Sequence, residues 1–137
     1  MTKNKAGRAD ARNISGYHTV LSISSYYAQI VDFQQIALGI TKDQMDIIPN
    51  LSDILQKFGD VVETINPQAG KFNILAPFGG LTKSEIVQVG VKNRVPFELT
   101  WSCLHAGDEH CGECVQCVAR KKAFLDSHIT DPTDYLK

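Results

Sequence analysis

The sequence has no cysteine outside one short window: Cys103, Cys111, Cys114 and Cys117 are its four, in a chain of 137 residues. It has no apolar run approaching ~18 residues, which excludes a transmembrane helix. The N-terminus, MTKNKAGRAD, is polar and basic with no apolar stretch behind it, which argues against a secretory signal. An excess of charge is missing too. Fourteen Lys and Arg stand against fifteen Asp and Glu, for a net charge of −1, so the totals demand neither a membrane nor a nucleic acid. The one basic patch is the short run Arg120-Lys121-Lys122, too little for a nucleic-acid binder. Internal repeats and low-complexity tracts are absent. The expected location is therefore the reducing cytoplasm, where clustered cysteines are more often metal ligands than disulfides.

What is present is ordinary globular composition, 43% hydrophobic and 21% charged. The length suggests one domain. Residues 1–9 are expected as a flexible tail, 10–100 as an α/β domain, and 101–137 as a metal-binding segment with a C-terminal helix. From Ile14, the residues Tyr17, Leu21, Ser24, Ala28 and Val31 form one stripe at helical spacing. Residues 34–41 and 72–78 are short apolar runs expected as buried strands. The stretch 41–50 is expected as a loop broken by Pro49, and 51–59 as a helix ending at Gly59. The clearest local signal is LTKSEIVQVGVKNRVP. Thr82 and Glu85 make a capping box, with Leu81 and Ile86 as the matching staple. Pro96 stops this helix near Arg94. The order of helices and strands suggests parallel α/β units, yet only two strands are convincing, too few for a parallel sheet to stand alone.

The cysteine spacing is Cys103-x7-Cys111-x2-Cys114-x2-Cys117. Such spacing lets four thiolates meet one Zn²⁺ in a closed tetrahedral site, with Gly112 permitting the tight bend between ligands. Iron–sulfur ligation and disulfides remain alternatives. His105 and His110 could replace a cysteine, but are expected as solvated loop residues. Four sulfurs leave no open position for catalysis, so the site is expected to be structural. Arg120, Lys121 and Lys122 could offset its negative charge.

The segments LTKSEIVQVGVKNRVPFELTWSC, HCGECVQC, RKKAF and DPTDY closely resemble the C-terminal part of the 7-cyano-7-deazaguanine synthase family, QueC (ExsB). ARNISGYHTVLSISSYYA and IALGIT resemble its middle segment. The resemblance implies a Rossmann-like α/β fold of the ATP-pyrophosphatase (adenine nucleotide alpha hydrolase-like) type, of which residues 10–100 are a part. It implies structural zinc on Cys103, Cys111, Cys114 and Cys117. It also implies ATP-dependent activation of a 7-carboxy-7-deazaguanine carboxylate and conversion by ammonia to the nitrile, for queuosine and archaeosine synthesis. The family's Ser-Gly-Gly-x-Asp-Ser loop, which holds the ATP phosphates, does not occur in this sequence. About the first third of a family member is thus expected to come from a missing segment or a partner chain, and the isolated chain is expected not to turn over. When completed, it is expected to be a carbon–nitrogen ligase. A homo-oligomer is expected. In place of the family's Tyr-Pro-Asp-Cys-Arg-like stretch this chain has IIPNLSD, retaining only Pro49, which leaves open a different carboxylate, as in phage defence, or a non-catalytic zinc-stabilised accessory module.

Within that resemblance, Lys83 sits in the first turn of the capped helix, whose exposed N–H groups favour anions, and could bind a phosphate or simply be a surface lysine on a well-capped helix. Arg12 and Asn13 match the family's Arg-Asn pair, after Ala11 where the family has glycine. Arg12 could hold a phosphate or carboxylate, whereas Asn13 could simply cap a helix. Trp101 could stack on a flat heterocycle or anchor the cysteine loop. Glu98 could accept hydrogen bonds from a guanine-like edge, although an exposed glutamate without such a role is the more common finding. No protein nucleophile is called for, since adenylation followed by ammonia attack needs positioning and charge stabilisation. The catalytic residues are not identified by the sequence.

Overall fold

A computed structural model describes residues 5–136, with side chains from Gly16 onward. The expected tail, residues 1–9, falls on positions 1–4, outside the described residues, and on the start of a helix whose side chains before Gly16 are also outside them. The chain divides into two compact units, the boundary falling between Gly79 and Gly80.

The N-terminal unit contains helix α1 (Lys5–Ile30), strand β1 (Gln35–Ala37), helices α2 (Lys42–Ile47) and α3 (Leu51–Ile65), and strand β2 (Asn73–Leu75). Of the helical stripe of α1, Leu21 and Ala28 are buried and Tyr17 and Ser24 half-buried, while the side chain of Ile14 lies outside the described residues; Ser25, beside the stripe, is buried as well. Val31, at the end of that stripe, is exposed. β1 and β2 pair in parallel, Gln35 opposite Asn73, Ile36 opposite Ile74 and Ala37 opposite Leu75. Ile36 and Ile74 point to the helices and join Leu21, Leu51, Leu55 and Ile40 in one core, with Ala28, Val62 and Phe72 continuing it. This is part of a Rossmann-like α/β fold, two parallel strands with their helices.

The expected loop at 41–50 is instead mostly helix α2. Thr41 N–H donates to Gln44 Oε1 at 3.0 Å, one arm of a capping box. Gln44 in turn donates to the Tyr17 hydroxyl of α1 at 3.0 Å. The helix from Leu51 also continues past Gly59 to Ile65. Gly59 is not a stop, because its missing Cβ makes room for β2's approach: a Cβ there would stand 2.7 Å from the carbonyl oxygen of Phe72.

The C-terminal unit contains helices α4 (Lys83–Lys92) and α5 (Val115–Asp126), joined by a 3₁₀ turn at Phe97–Leu99 and the cysteine loop. The capping box of α4 forms as read: Thr82 N–H donates to Glu85 Oε2 at 2.7 Å, and Glu85 N–H to Thr82 Oγ1 at 3.3 Å. Val87 of α4 meets Ala123 and Phe124 of α5, with Phe97 and Ile129 around them. Phe97 and Phe124 stack edge to face with ring centres 5.1 Å apart. Among the described residues, no helix is long and apolar enough to cross a membrane.

Candidate metal centre

The four cysteines arrive from two kinds of backbone. Cys103 and Cys111 sit on the irregular loop, Cys114 is the N-cap of α5, and Cys117 lies in its first turn. The x2 spacing from Cys114 to Cys117 brings the first helical turn round, and Gly112, at φ 78°, makes the bend before it. All four sulfurs lie within 4.8 Å of one another. Cys111 and Cys117 sulfurs are 3.9 Å apart, and those of Cys103 and Cys114 are 4.0 Å apart. A single ion with metal–sulfur bonds of ~2.3 Å in a tetrahedron sets its sulfurs ~3.8 Å apart. The donor set therefore fits one metal ion. A multinuclear iron–sulfur core would hold its thiolates farther apart. No disulfide joins any pair.

The backbone prepares the sulfurs for negative charge. Cys103 Sγ accepts N–H bonds from Cys111 and His105, each at 3.4 Å. Cys111 Sγ accepts from Cys114 N–H at 3.3 Å, and Cys114 Sγ from Cys117 N–H at 3.4 Å. Backbone donation to Cys114, from Leu104 and Cys117, pulls its thiol down to about 6. Donation from Cys111 and His105 lowers Cys103. Cys117, fully buried, is pushed up to about 12 by desolvation. A cation among them would reverse that cost, since coordinating thiols bind as thiolates.

Trp101 and His110 hold the loop from behind. Their rings lie 4.3 Å apart, and Trp101 Nε1 donates to Cys103 O at 3.0 Å. His110 is not a solvated loop residue, being only 5% exposed. Its Nε2 accepts the Ser102 N–H at 3.0 Å, and burial followed by the nearby Arg120 charge lowers its pKa. Its backbone bridges to the chain end, where Leu136 N–H donates to His110 O at 2.9 Å. The Arg120-Lys121-Lys122 run does not act as a block. Arg120 turns to Asp131, Lys122 pairs with Asp126 at 2.8 Å, and Lys121 donates to Gly112 O, on the cysteine loop, at 3.0 Å.

The other candidate residues are scattered differently. Lys83 is the first residue of α4, half-buried beside the Thr82–Glu85 box. The Glu85 carboxylate already occupies part of that helix end. Glu98 is exposed in the 3₁₀ turn. Trp101 is 48% exposed, so it anchors the loop while leaving part of its indole open. The side chains of Arg12 and Asn13 lie outside the described residues. Sequence reasoning missed the burial of His110 and the pairing of Arg120 with Asp131, for which the sequence carries no local signal.

The sequence profile described as "Queuosine biosynthesis protein QueC" matches residues 6–128. A protein of Sulfolobus acidocaldarius named 7-cyano-7-deazaguanine synthase is 35% identical over 126 residues, 91% of this chain and 26% of the relative. One of the same name from Methanobrevibacter smithii is 34% identical over 115 residues, 83% of this chain and 50% of the relative. One from Chelativorans sp. is 49% identical over 65 residues, 47% of this chain and 28% of the relative. The chain thus spans half or less of the length of these three relatives. With the profile covering most of the chain, including all four cysteines, this chain belongs to the QueC family.

Proposed function

We propose that this chain is the C-terminal part of a 7-cyano-7-deazaguanine synthase, converting 7-carboxy-7-deazaguanine and ammonia to the nitrile at the expense of ATP. The observation that carries the reading is the QueC match over residues 6–128. It takes in the four convergent thiols. The activity requires an ATP-binding segment of the kind the resemblance places before this region, supplied as preceding chain or as a partner.

Cys103, Cys111, Cys114 and Cys117 would hold a zinc ion, which would serve structurally, joining the cysteine loop to the start of α5 with all four coordination positions taken by sulfur. The chain's own residues do the rest. Lys83 and the first turn of α4 offer positive charge to a phosphate. Arg12 offers a two-pronged donor for phosphate or carboxylate, next to Asn13. The open part of the Trp101 indole can stack on the deazapurine, and Glu98 can accept from its guanine-like edge. The reaction itself asks for no protein nucleophile, because ammonia attacks an activated carboxylate and binding groups need only position the reactants.

The test is ligation in vitro. The chain, supplied with ATP, ammonium and 7-carboxy-7-deazaguanine, is assayed by mass spectrometry with and without the preceding portion of the Methanobrevibacter smithii relative. Nitrile formed only in the combined sample is the expected result. Its absence there, with the zinc site loaded and both polypeptides folded, overturns the reading.

A further inference from the structure

The four thiols are not held alike. Cys114 and Cys117 are fixed by α5, one as its N-cap and one in its first turn. Cys103 and Cys111 lie in irregular chain, and residues 104–109 between them are exposed throughout. A loop of that kind loses conformational freedom when two of its side chains must meet one ion, and whatever orders it beforehand strengthens binding.

The ordering contacts come from the end of the chain. Beyond α5, the Asp131 carboxylate accepts from Arg120 Nε at 3.3 Å, from Thr133 N–H at 3.1 Å and from the Tyr135 hydroxyl. Tyr135 then bridges to His110 in parallel, and Leu136 N–H donates to His110 O at 2.9 Å. The ring centres of His110 and Tyr135 are 5.7 Å apart. His110 Nε2 in turn accepts from the N–H of Ser102, the residue before Cys103. On the other side of Cys111, Lys121 Nζ donates to Gly112 O at 3.0 Å while lying 4.2 Å from the centre of the Tyr135 ring. Both neighbours of Cys111 and the residue before Cys103 are thus tied, directly or through one side chain, to α5 and the chain end.

We propose that residues 131–136 act with Lys121 as a strap that positions the two loop thiols for the metal ion, so that docking of the chain end and metal binding strengthen each other. Lys121 and Tyr135 are positioning residues, since neither gives an atom to the ion. Groups that orient metal ligands from behind contribute about 10–100-fold in affinity. The coupling is reciprocal: the factor by which the strap raises metal affinity is the factor by which the metal holds the strap down. The inference rests on the four-thiol metal centre and not on the synthase reading.

The experiment compares the whole chain with one lacking residues 134–137, each competing for zinc with a fluorescent chelator of known affinity. Truncation is expected to weaken zinc binding by roughly tenfold or more. Zinc is expected to slow amide exchange at Leu136 in the whole chain by the same factor. Val87→Ala, which loosens the contact between α4 and α5 away from the loop, is expected to lower stability and leave zinc affinity unchanged. Lys121→Met is expected to weaken zinc binding, and Lys121→Arg, which keeps a cationic donor, to restore it; this pair carries the test should the truncated chain fail to fold. Equal affinity in the whole and truncated chains, exchange at Leu136 indifferent to zinc, a loss in Val87→Ala as large as that of truncation, or Lys121→Met binding as tightly as Lys121→Arg would each overturn the proposal. A whole chain that takes up no zinc would refute the metal centre itself, whereas zinc bound equally well without the strap would refute the strap alone.

Discussion

Arg120 Nε donates to Asp131 Oδ1 at 3.3 Å with the two side chains only 9% and 13% exposed. The same guanidinium donates to Thr100 Oγ1 at 2.7 Å and Phe97 O at 3.0 Å. One cation thus ties α5 to the chain before the cysteine loop and to the chain after the helix. Removing one member of a buried pair strands the other charge, at about 3–5 kcal/mol. Asp131→Asn should therefore lower the thermal midpoint of the C-terminal unit by several degrees at neutral pH. The effect also has a sign in pH. Burial works against the Asp131 carboxylate, but hydrogen bonds from Tyr135 and Thr133 and the charge of Arg120 outweigh it, so its pKa lies below the ordinary 3.8. Its contribution is then fully present above 3.8 and lost as pH falls through the lower folded value. The gap between wild type and Asp131→Asn, measured by denaturant titration, should shrink only below pH 3.8, with the thiol contribution cancelling between the two proteins.

The convergence of four sulfurs predicts one equivalent of bound metal per chain. Elemental analysis of protein purified without chelator should find about one zinc, since four thiolates in a tetrahedron bind it in preference to harder cations. Cys117→Ser should remove most of the metal and loosen α5, because Cys117 is both one of the four converging thiols and a first-turn residue. Hydrogen exchange at Phe124 and Ile129 would report this directly. Unchanged metal content in Cys117→Ser would mean that the fourth sulfur is no ligand.

The sequence shows best what is local. The Thr82–Glu85 box and the Cys-x2-Cys-x2-Cys spacing each act within one or two helical turns, and both are where the letters place them. The same logic would have found α2, since Thr41 and Gln44 repeat the box three residues apart; Pro49 drew attention to a break that lies beyond the helix. Gly59 misleads for a different reason. In sequence a glycine after a helical run resembles a stop, whereas here it marks backbone contact with Phe72, thirteen residues on. The burial of His110 and the Arg120–Asp131 pair depend on the chain turning back after α5, which no periodicity encodes. The strands are only three residues each, shorter than their apolar runs. Pairing sets strand length, and the described residues supply each strand with one neighbour.

Three helices end the same way, each with a non-glycine residue in the left-handed region. Asp32, Arg94 and His128 have φ of 61°, 55° and 58°. After each, the next N–H reaches back five residues: Phe33 to Ala28 O, Val95 to Gly90 O, Ile129 to Phe124 O. This is the Schellman closure, which favours glycine at the turning residue. Left-handed backbone costs an L-residue about 1–2 kcal/mol, offset in part by the greater freedom glycine has when unfolded. Arg94→Gly and His128→Gly should each raise stability by roughly 0.5–1 kcal/mol. Asp32→Gly should gain less, because aspartate tolerates the region better. Chemical denaturation of the three variants checks the order, and a loss at Arg94 or His128 would show that the side chain contributes more than its backbone strain removes.

Gly59 offers the opposite case, a glycine that substitution should harm. It sits inside α3, where alanine would ordinarily favour the helix by nearly 1 kcal/mol. A Cβ there, however, would lie 2.7 Å from the Phe72 carbonyl oxygen, a backbone atom that cannot swing aside. Either α3 or the start of β2 must shift, and Phe72 and Val62 share a core with Ala28 of α1. Overpacking of this kind costs about 1–3 kcal/mol, which exceeds the propensity gain. Gly59→Ala should therefore lower stability on balance and speed amide exchange at Asn73, whose N–H pairs with Gln34 O. Gly39→Ala is the matched control, since a Cβ at Gly39 meets nothing within 4 Å. Equal stability of the two variants would show that α3 and β2 approach less closely than the Gly59–Phe72 spacing requires.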